Sequence, residues 1–190
     1  MPAHATASAP AVKLATLAGM KSRAERIAML TAYDATLAAQ FDAAGIDVVL
    51  VGDSLGMVVQ GQATTLGVTL DNLVYHCQAV ARGLRRALLL ADLPFGSYPD
   101  PAAAYRSAAR LVGEGGAAMV KLERAGPVLD CIRYLAERDI PVCAHLGLTP
   151  QSVHRMGGYK VQARDADAAA RLAADALAVQ AAGAAMLVLE

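Results

Sequence analysis

Apolar residues in this chain gather into short continuous runs, and four of the runs stop on a single carboxylate: Val48-Val49-Leu50-Val51-Gly52-Asp53, Leu88-Leu89-Leu90-Ala91-Asp92, Met119-Val120-Lys121-Leu122-Glu123 and Met186-Leu187-Val188-Leu189-Glu190. A strand buried on both faces reads as such a run. Packing gives it no reason to finish on a charge. Carboxylates at the carboxyl ends of parallel strands are how an α/β barrel or an open α/β sheet builds a metal or acid–base site.

Between the runs the period changes from continuous to helical. The pattern predicts a first strand over 27–33 and a helix capped by Asp34 that runs to about 44, where Gly45 ends it. A second strand over 46–52 is followed by a long loop. Thr69 then caps a helix over about 70–81, with Leu70, Leu73, Val74, Cys77 and Val80 on one face. Further strands are predicted at 87–91, 117–122, 140–145 and 184–189, and further helices at about 101–112, 128–137 and 165–182, the last closed by Gly183. Alternation of this kind implies right-handed crossovers, a parallel sheet with helices outside, and one domain over 13–190. A closed (β/α)₈ barrel needs eight strands and typically about 250 residues. Two architectures therefore stand: an open sheet of fewer strands, or a TIM-type α/β barrel truncated after about six.

Composition narrows the class. Hydrophobic residues make up 56% of the 190 and mean hydropathy is +0.38, ample for a large core. No apolar run approaches the roughly 18 residues that span a bilayer, so a soluble, cytoplasmic protein without a membrane partner is expected. Seventeen Lys and Arg balance seventeen Asp and Glu without blocks of like charge, which argues against nucleic acid. Cys77, Cys131 and Cys143 are widely spaced and form no C-x-x-C pair, the usage of reduced thiols filling a core. Residues 1–12, rich in Ala and Pro, read as a flexible arm, with no apolar stretch of a targeting peptide.

Candidate chemistry sits at the strand ends. Asp34 and Asp100 read as helix caps. Asp53 and Asp92, taken alone, divide evenly between cap and ligand; as oxygen-only donors they suit a hard cation such as Mg²⁺. Lys121 lies two residues before Glu123, so both leave the same face of their strand. A buried ammonium beside a carboxylate is tolerable only when both are used, and the alternative is a snorkelling lysine. His145 ends the fifth strand and hydrogen-bonds either a substrate or a backbone carbonyl, whereas His76 and His154 read as structural. Gly157-Gly158 lacks the G-x-G-x-x-G spacing of a phosphate loop and reads as part of a mobile lid over the barrel mouth.

Several motifs together carry a family resemblance. Leu30-Thr31-Ala32-Tyr33-Asp34, Val51-Gly52-Asp53-Ser54-Leu55-Gly56-Met57, Val59-Gln60-Gly61, Leu89-Leu90-Ala91-Asp92-Leu93-Pro94-Phe95, Met119-Val120-Lys121-Leu122-Glu123, His145-Leu146-Gly147-Leu148-Thr149-Pro150-Gln151-Ser152-Val153 and Gly157-Gly158-Tyr159-Lys160-Val161-Gln162 resemble ketopantoate hydroxymethyltransferases, in order, over about 14–190. The resemblance implies a (β/α)₈ barrel of which these are the first six units. It also implies transfer of a hydroxymethyl group from 5,10-methylenetetrahydrofolate to 3-methyl-2-oxobutanoate, giving 2-dehydropantoate in pantothenate biosynthesis. By the same resemblance one Mg²⁺ per subunit is held by Asp53, Asp92 and Glu123, the 2-oxo acid meets Asp53, Ser54, Asp92 and Lys121, Glu190 is the base, and the protein is a homo-oligomer. Gly67 in place of proline, and Arg124-Ala125 in place of a glycine stretch, depart from the family pattern. The alternatives are a metal-dependent 2-oxo acid lyase or mutase on a similar barrel, and a non-catalytic truncated remnant. The 190 residues by themselves are expected to have little activity, since an exposed sheet edge would aggregate or rely on a further segment.

Overall fold

A computed structural model describes residues 10–190. The arm expected over 1–12 lies almost wholly outside them; at its end, Val12 is buried and donates its N–H to the Arg86 carbonyl at 2.8 Å. The elements in order are α1 (Leu14–Ser22), β1 (Met29–Thr31), α2 (Ala35–Ala43), β2 (Val48–Val51), α3 (Leu55–Val58), α4 (Leu70–Gly83), β3 (Leu88–Asp92), α5 (Pro101–Gly113), β4 (Met119–Glu123), α6 (Val128–Ala136), β5 (Val142–Leu146), a 3₁₀ turn (Pro150–Ser152), α7 (Val153–Met156), α8 (Ala166–Ala181) and β6 (Met186–Leu189).

The helix starts are set by side chains that satisfy otherwise unpaired backbone N–H groups. Asp34 accepts from Thr36 and Leu37, Asp100 from Ala103 and Asp165 from Ala168. At α4, Thr69 Oγ1 accepts from the Asn72 N–H while Asn72 Oδ1 accepts from the Thr69 N–H, a reciprocal cap. The predicted long helices accordingly begin within a residue of their observed starts.

All strands are parallel and run in the order β1-β2-β3-β4-β5-β6. A doubly wound sheet reverses its order at a switch point. This one does not, so its winding is that of a TIM-type barrel through six units, with β1 and β6 each paired on one side only among the described residues.

The two faces of the sheet divide the core. Val49, Val51, Leu89, Ala91, Val120, Leu122, Val142 and Ala144 point outward into the helix layer. Val48, Leu50, Leu88, Leu90, Met119 and Cys143 point the other way, where α1 covers them with Leu14, Leu17 and Met20. Each such large apolar side chain contributes about 1.5–3 kcal/mol on burial. The pattern along the chain did not predict α1, because its nine residues include Gly19 and show little amphipathy. Its apolar side has a purpose only once the inner face of the sheet exists.

The remaining differences lie in the loops and strand ends. The long loop after β2 contains α3, and the segment after β5 contains the 3₁₀ turn and α7, which Gly157 ends at φ +66°. Strands β3 and β4 extend through their terminal carboxylates, because Asp92 stays in register with Lys121 and Glu123 with His145. All three cysteines are free and buried, and burial pushes the Cys77 and Cys143 thiols up to about 12, as core filling requires. No helix among the described residues is long and apolar enough to cross a membrane.

Candidate active site

Alternation along the strands turns the inner face from apolar to charged. On β3 the inward positions are Leu88, Leu90 and Asp92; on β4, Met119, Lys121 and Glu123; on β5, Cys143 and His145. The first members of each series belong to the core beneath α1, and the last are buried ionisable groups at the carboxyl ends. Asp53 joins them from just beyond β2. Its backbone N–H donates to Asp92 Oδ2 at 3.0 Å, across Gly52, where a Cβ would stand 3.2 Å from that same oxygen.

The groups form a continuous chain of contacts. Lys121 Nζ lies 2.8 Å from Asp92 Oδ1, 3.8 Å from Glu123 Oε1 and 3.2 Å from His145 Nδ1. An ammonium only donates, so Nδ1 accepts and the His145 proton sits on Nε2. That nitrogen faces Glu190 Oε2 at 3.3 Å. Glu190 follows β6 and is half exposed, whereas Asp53, Asp92, Lys121, Glu123 and His145 are all less than 5% exposed. Gly147, at φ +89°, lets the backbone after β5 pass close enough for the Leu148 N–H to donate to the Glu190 carbonyl at 2.8 Å.

Charge does not balance here. Three buried carboxylates, Asp53, Asp92 and Glu123, face one buried ammonium. Burial opposes the charge on Lys121, but Asp92 and Glu123 more than offset it and hold the ammonium above its ordinary range. The carboxylates bear the excess: burial, then Asp92, pushes Asp53 up to about 7, and burial raises Asp92 despite Lys121. Glu123 Oε1 accepts no hydrogen bond.

An oxygen-only donor set with surplus buried negative charge fits a hard divalent cation. Among the described residues no three His, Cys, Asp or Glu side chains converge tightly enough to enclose an ion by themselves. Mg²⁺ is suited to such a site, since it is held by one or two carboxylates and completes its shell with water and substrate oxygens.

Of the residues singled out from sequence, Asp53, Asp92, Lys121, Glu123 and Glu190 come together at this rim. Ser54 starts α3 beside them, and its hydroxyl makes no cap bond. His145 does not serve a backbone carbonyl; it lies between Lys121 and Glu190. His76 is structural, with Nδ1 2.7 Å from the Tyr33 carbonyl, and His154 is exposed on α7. Sequence reasoning missed Gln151, which donates to Asp53 Oδ2 and to the Leu93 carbonyl, and Tyr98, whose hydroxyl meets Gln151 Oε1. The one signal for Gln151 was its place in the loop after the fifth strand, on the face where such barrels keep their active sites.

The chain is 61% identical over 180 residues to a 3-methyl-2-oxobutanoate hydroxymethyltransferase of Ralstonia nicotianae, covering 95% of this chain and 65% of that protein. It is 59% identical to the enzyme of the same name from Methylococcus capsulatus, covering 94% and 66%. The chain thus spans about two thirds of the length of these relatives. Among solved structures, 2,3-dimethylmalate lyase, of the PEP mutase/isocitrate lyase superfamily, matches with TM-score 0.66 at 21% identity, over 93% of this chain and 62% of that one. Phosphonopyruvate hydrolase in complex with oxalate and Mg²⁺ matches with TM-score 0.70 at 12% identity, over the same shares. At those identities the likeness concerns the fold. The family model for ketopantoate hydroxymethyltransferase matches residues 11–190, and the chain belongs to that family.

Proposed function

We propose that this chain carries the catalytic groups of a 3-methyl-2-oxobutanoate hydroxymethyltransferase. The reaction joins C3 of 3-methyl-2-oxobutanoate to the one-carbon unit of 5,10-methylenetetrahydrofolate, giving 2-dehydropantoate and tetrahydrofolate with uptake of water. The observation that carries the reading is the unbroken run of contacts from Asp53 through Asp92, Lys121 and His145 to Glu190 at one end of the sheet, in a chain 61% identical to a protein of that name.

Asp53 and Asp92 would hold one Mg²⁺, with Glu123 as a further carboxylate beside it. When bound, the ion supplies Lewis acidity to the keto oxygen of a chelated 2-oxo acid and so makes its C3–H more acidic. Glu190 stands at the open mouth of the rim and takes the C3 proton onto its carboxylate. His145, whose Nε2 stands 3.3 Å from Glu190 Oε2 without a hydrogen bond, would orient that carboxylate once its N–H is aimed at it. Lys121, kept charged by its neighbours, meets the substrate carboxylate or keto oxygen, and Ser54 offers its hydroxyl to the same acid. The electron pair left on C3 forms the new C–C bond. The one-carbon unit gives up its two bonds to folate nitrogens, and water supplies the new hydroxyl. The reading extends to a cytoplasmic homo-oligomer without nucleic-acid or membrane partners.

The test is solvent exchange of the C3 hydrogen of 3-methyl-2-oxobutanoate in deuterium oxide by a folded protein of its relatives' full length that carries these residues, with Mg²⁺ and without folate. Exchange is expected, and Glu190→Gln should slow it by roughly 100- to 10,000-fold, the usual contribution of a positioned base. Addition of 5,10-methylenetetrahydrofolate should then give product, which a lyase or mutase would not form. Undiminished exchange in Glu190→Gln refutes the base.

A further inference from the structure

The geometry points to Gln151 as a positioning residue for the cation-binding carboxylates, locked in place by Tyr98. It reaches two of the three carboxylates from one loop position. Its backbone N–H donates to Glu123 Oε2 at 3.0 Å, and its side-chain Nε2 donates to Asp53 Oδ2 at 2.8 Å and to the Leu93 carbonyl at 2.9 Å. The Tyr98 hydroxyl donates to Gln151 Oε1. Every polar atom of the amide is therefore used, and its orientation is forced: turned over, Oε1 would face a carboxylate and a carbonyl, both acceptors.

The consequence is a choice of oxygens. Gln151 occupies Oδ2 of Asp53 and Oε2 of Glu123, which leaves Oδ1 of Asp53 and the unpartnered Oε1 of Glu123 for a cation or its water shell. The residue also ties the ends of β2, β3 and β4 together, since Leu93 and Tyr98 both lie in the segment after β3. A carboxylate ligand is free to rotate about its last torsion. A fixed donor on one oxygen removes that freedom before the ion arrives, as outer partners of metal ligands do elsewhere.

This inference rests on the reading of Asp53 and Asp92 as metal ligands, and its test separates the two. The dissociation constant of Mn²⁺, followed by electron paramagnetic resonance, is compared for the unaltered chain, Gln151→Met and Tyr98→Phe, with thermal unfolding of each measured in chelator. Gln151→Met keeps length and the backbone N–H but removes both side-chain donors; it should weaken Mn²⁺ binding by about tenfold, the low end of what loss of such partners does to metal affinity. Tyr98→Phe keeps the amide and removes its anchor, and should weaken binding by less. If Gln151→Met does not fold, Tyr98→Phe decides. A purely structural role would lower the unfolding temperature and leave the dissociation constant of the folded protein within twofold, and that result overturns the inference alone. No Mn²⁺ binding by the unaltered chain overturns the metal reading and this inference with it.

Discussion

The two ends of this sheet handle buried charge in opposite ways. At the amino-terminal end, Asp47 accepts the Ala28 N–H at 3.0 Å and meets Arg86 at 2.6 Å, while Arg86 also donates to the Ile46 carbonyl at 2.8 Å. Asp42 accepts the backbone N–H groups of Arg86 and Ala87. Asp47 is paired with a cation there and Asp42 with backbone donors, no oxygen of either aspartate is left buried without a partner, and the result is a strap joining the starts of β1, β2 and β3. At the carboxyl-terminal end three carboxylates share one lysine, Glu123 Oε1 is orphaned, and Asp53 is pushed up to about 7. Charge at the amino-terminal end is satisfied within the fold, whereas the carboxyl-terminal end carries a surplus of buried negative charge, the kind of imbalance that clusters at functional sites.

The sharpest way to break that contrast is to remove the one cation of the upper rim. Lys121→Met leaves three buried carboxylates without a counter-charge and should lower the unfolding free energy by about 3–5 kcal/mol, the usual penalty for breaking a buried ion pair on one side. Urea denaturation in chelator measures it. At the other end Arg86→Met removes the guanidinium from Asp47 and Ile46, but Asp47 keeps its backbone donor and the site is partly solvated. The expected loss is about 1–3 kcal/mol by the same measurement. Equal losses at the two ends would show that the surplus at the upper rim has no energetic consequence.

The upper rim was also the more legible end, for a reason visible in single residues. Asp53, Asp92, Glu123 and Glu190 stood out because each closes an apolar run, and Lys121 because a period of two puts it on the face of Glu123. The caps Asp34, Thr69, Asp100 and Asp165 marked helix starts because capping is local chemistry. The contacts of Gln151 and Tyr98 were not legible, although Gln151 sits in a loop at the carboxyl-terminal face. Both residues act across the rim, 98 and 53 positions from the residues they meet, and neither a glutamine nor a tyrosine in a loop has a pattern of its own. Helix α1 was lost for the same reason, since it packs on a surface that only the wound sheet creates. The pairing of Asp47 with Arg86, 39 positions away, was equally invisible.

Replacing an acid with its amide should have opposite signs at the two ends, and this is the smallest but most diagnostic effect. Asp47→Asn loses an ion pair and should destabilise the chain. Asp53→Asn loses a group whose ionisation the fold opposes, because burial and Asp92 raise it from 3.8 to about 7. The sign follows from linkage: an acid raised on folding contributes its full stability below its ordinary value and loses it as pH rises through the folded value. In chelator at about pH 8, Asp53→Asn should therefore be more stable than the unaltered chain by about 1–2 kcal/mol, and the gain should fade as the pH falls below the ordinary value of 3.8, toward about pH 3, where the unaltered carboxyl is protonated in both states. Saturating Mg²⁺ should reverse the order, since only the carboxylate offers the ion a charged ligand. A destabilised Asp53→Asn in chelator at the higher pH would mean that Asp53 is as well paired as Asp47, and the contrast between the two rims would fail at the residue that expresses it most strongly.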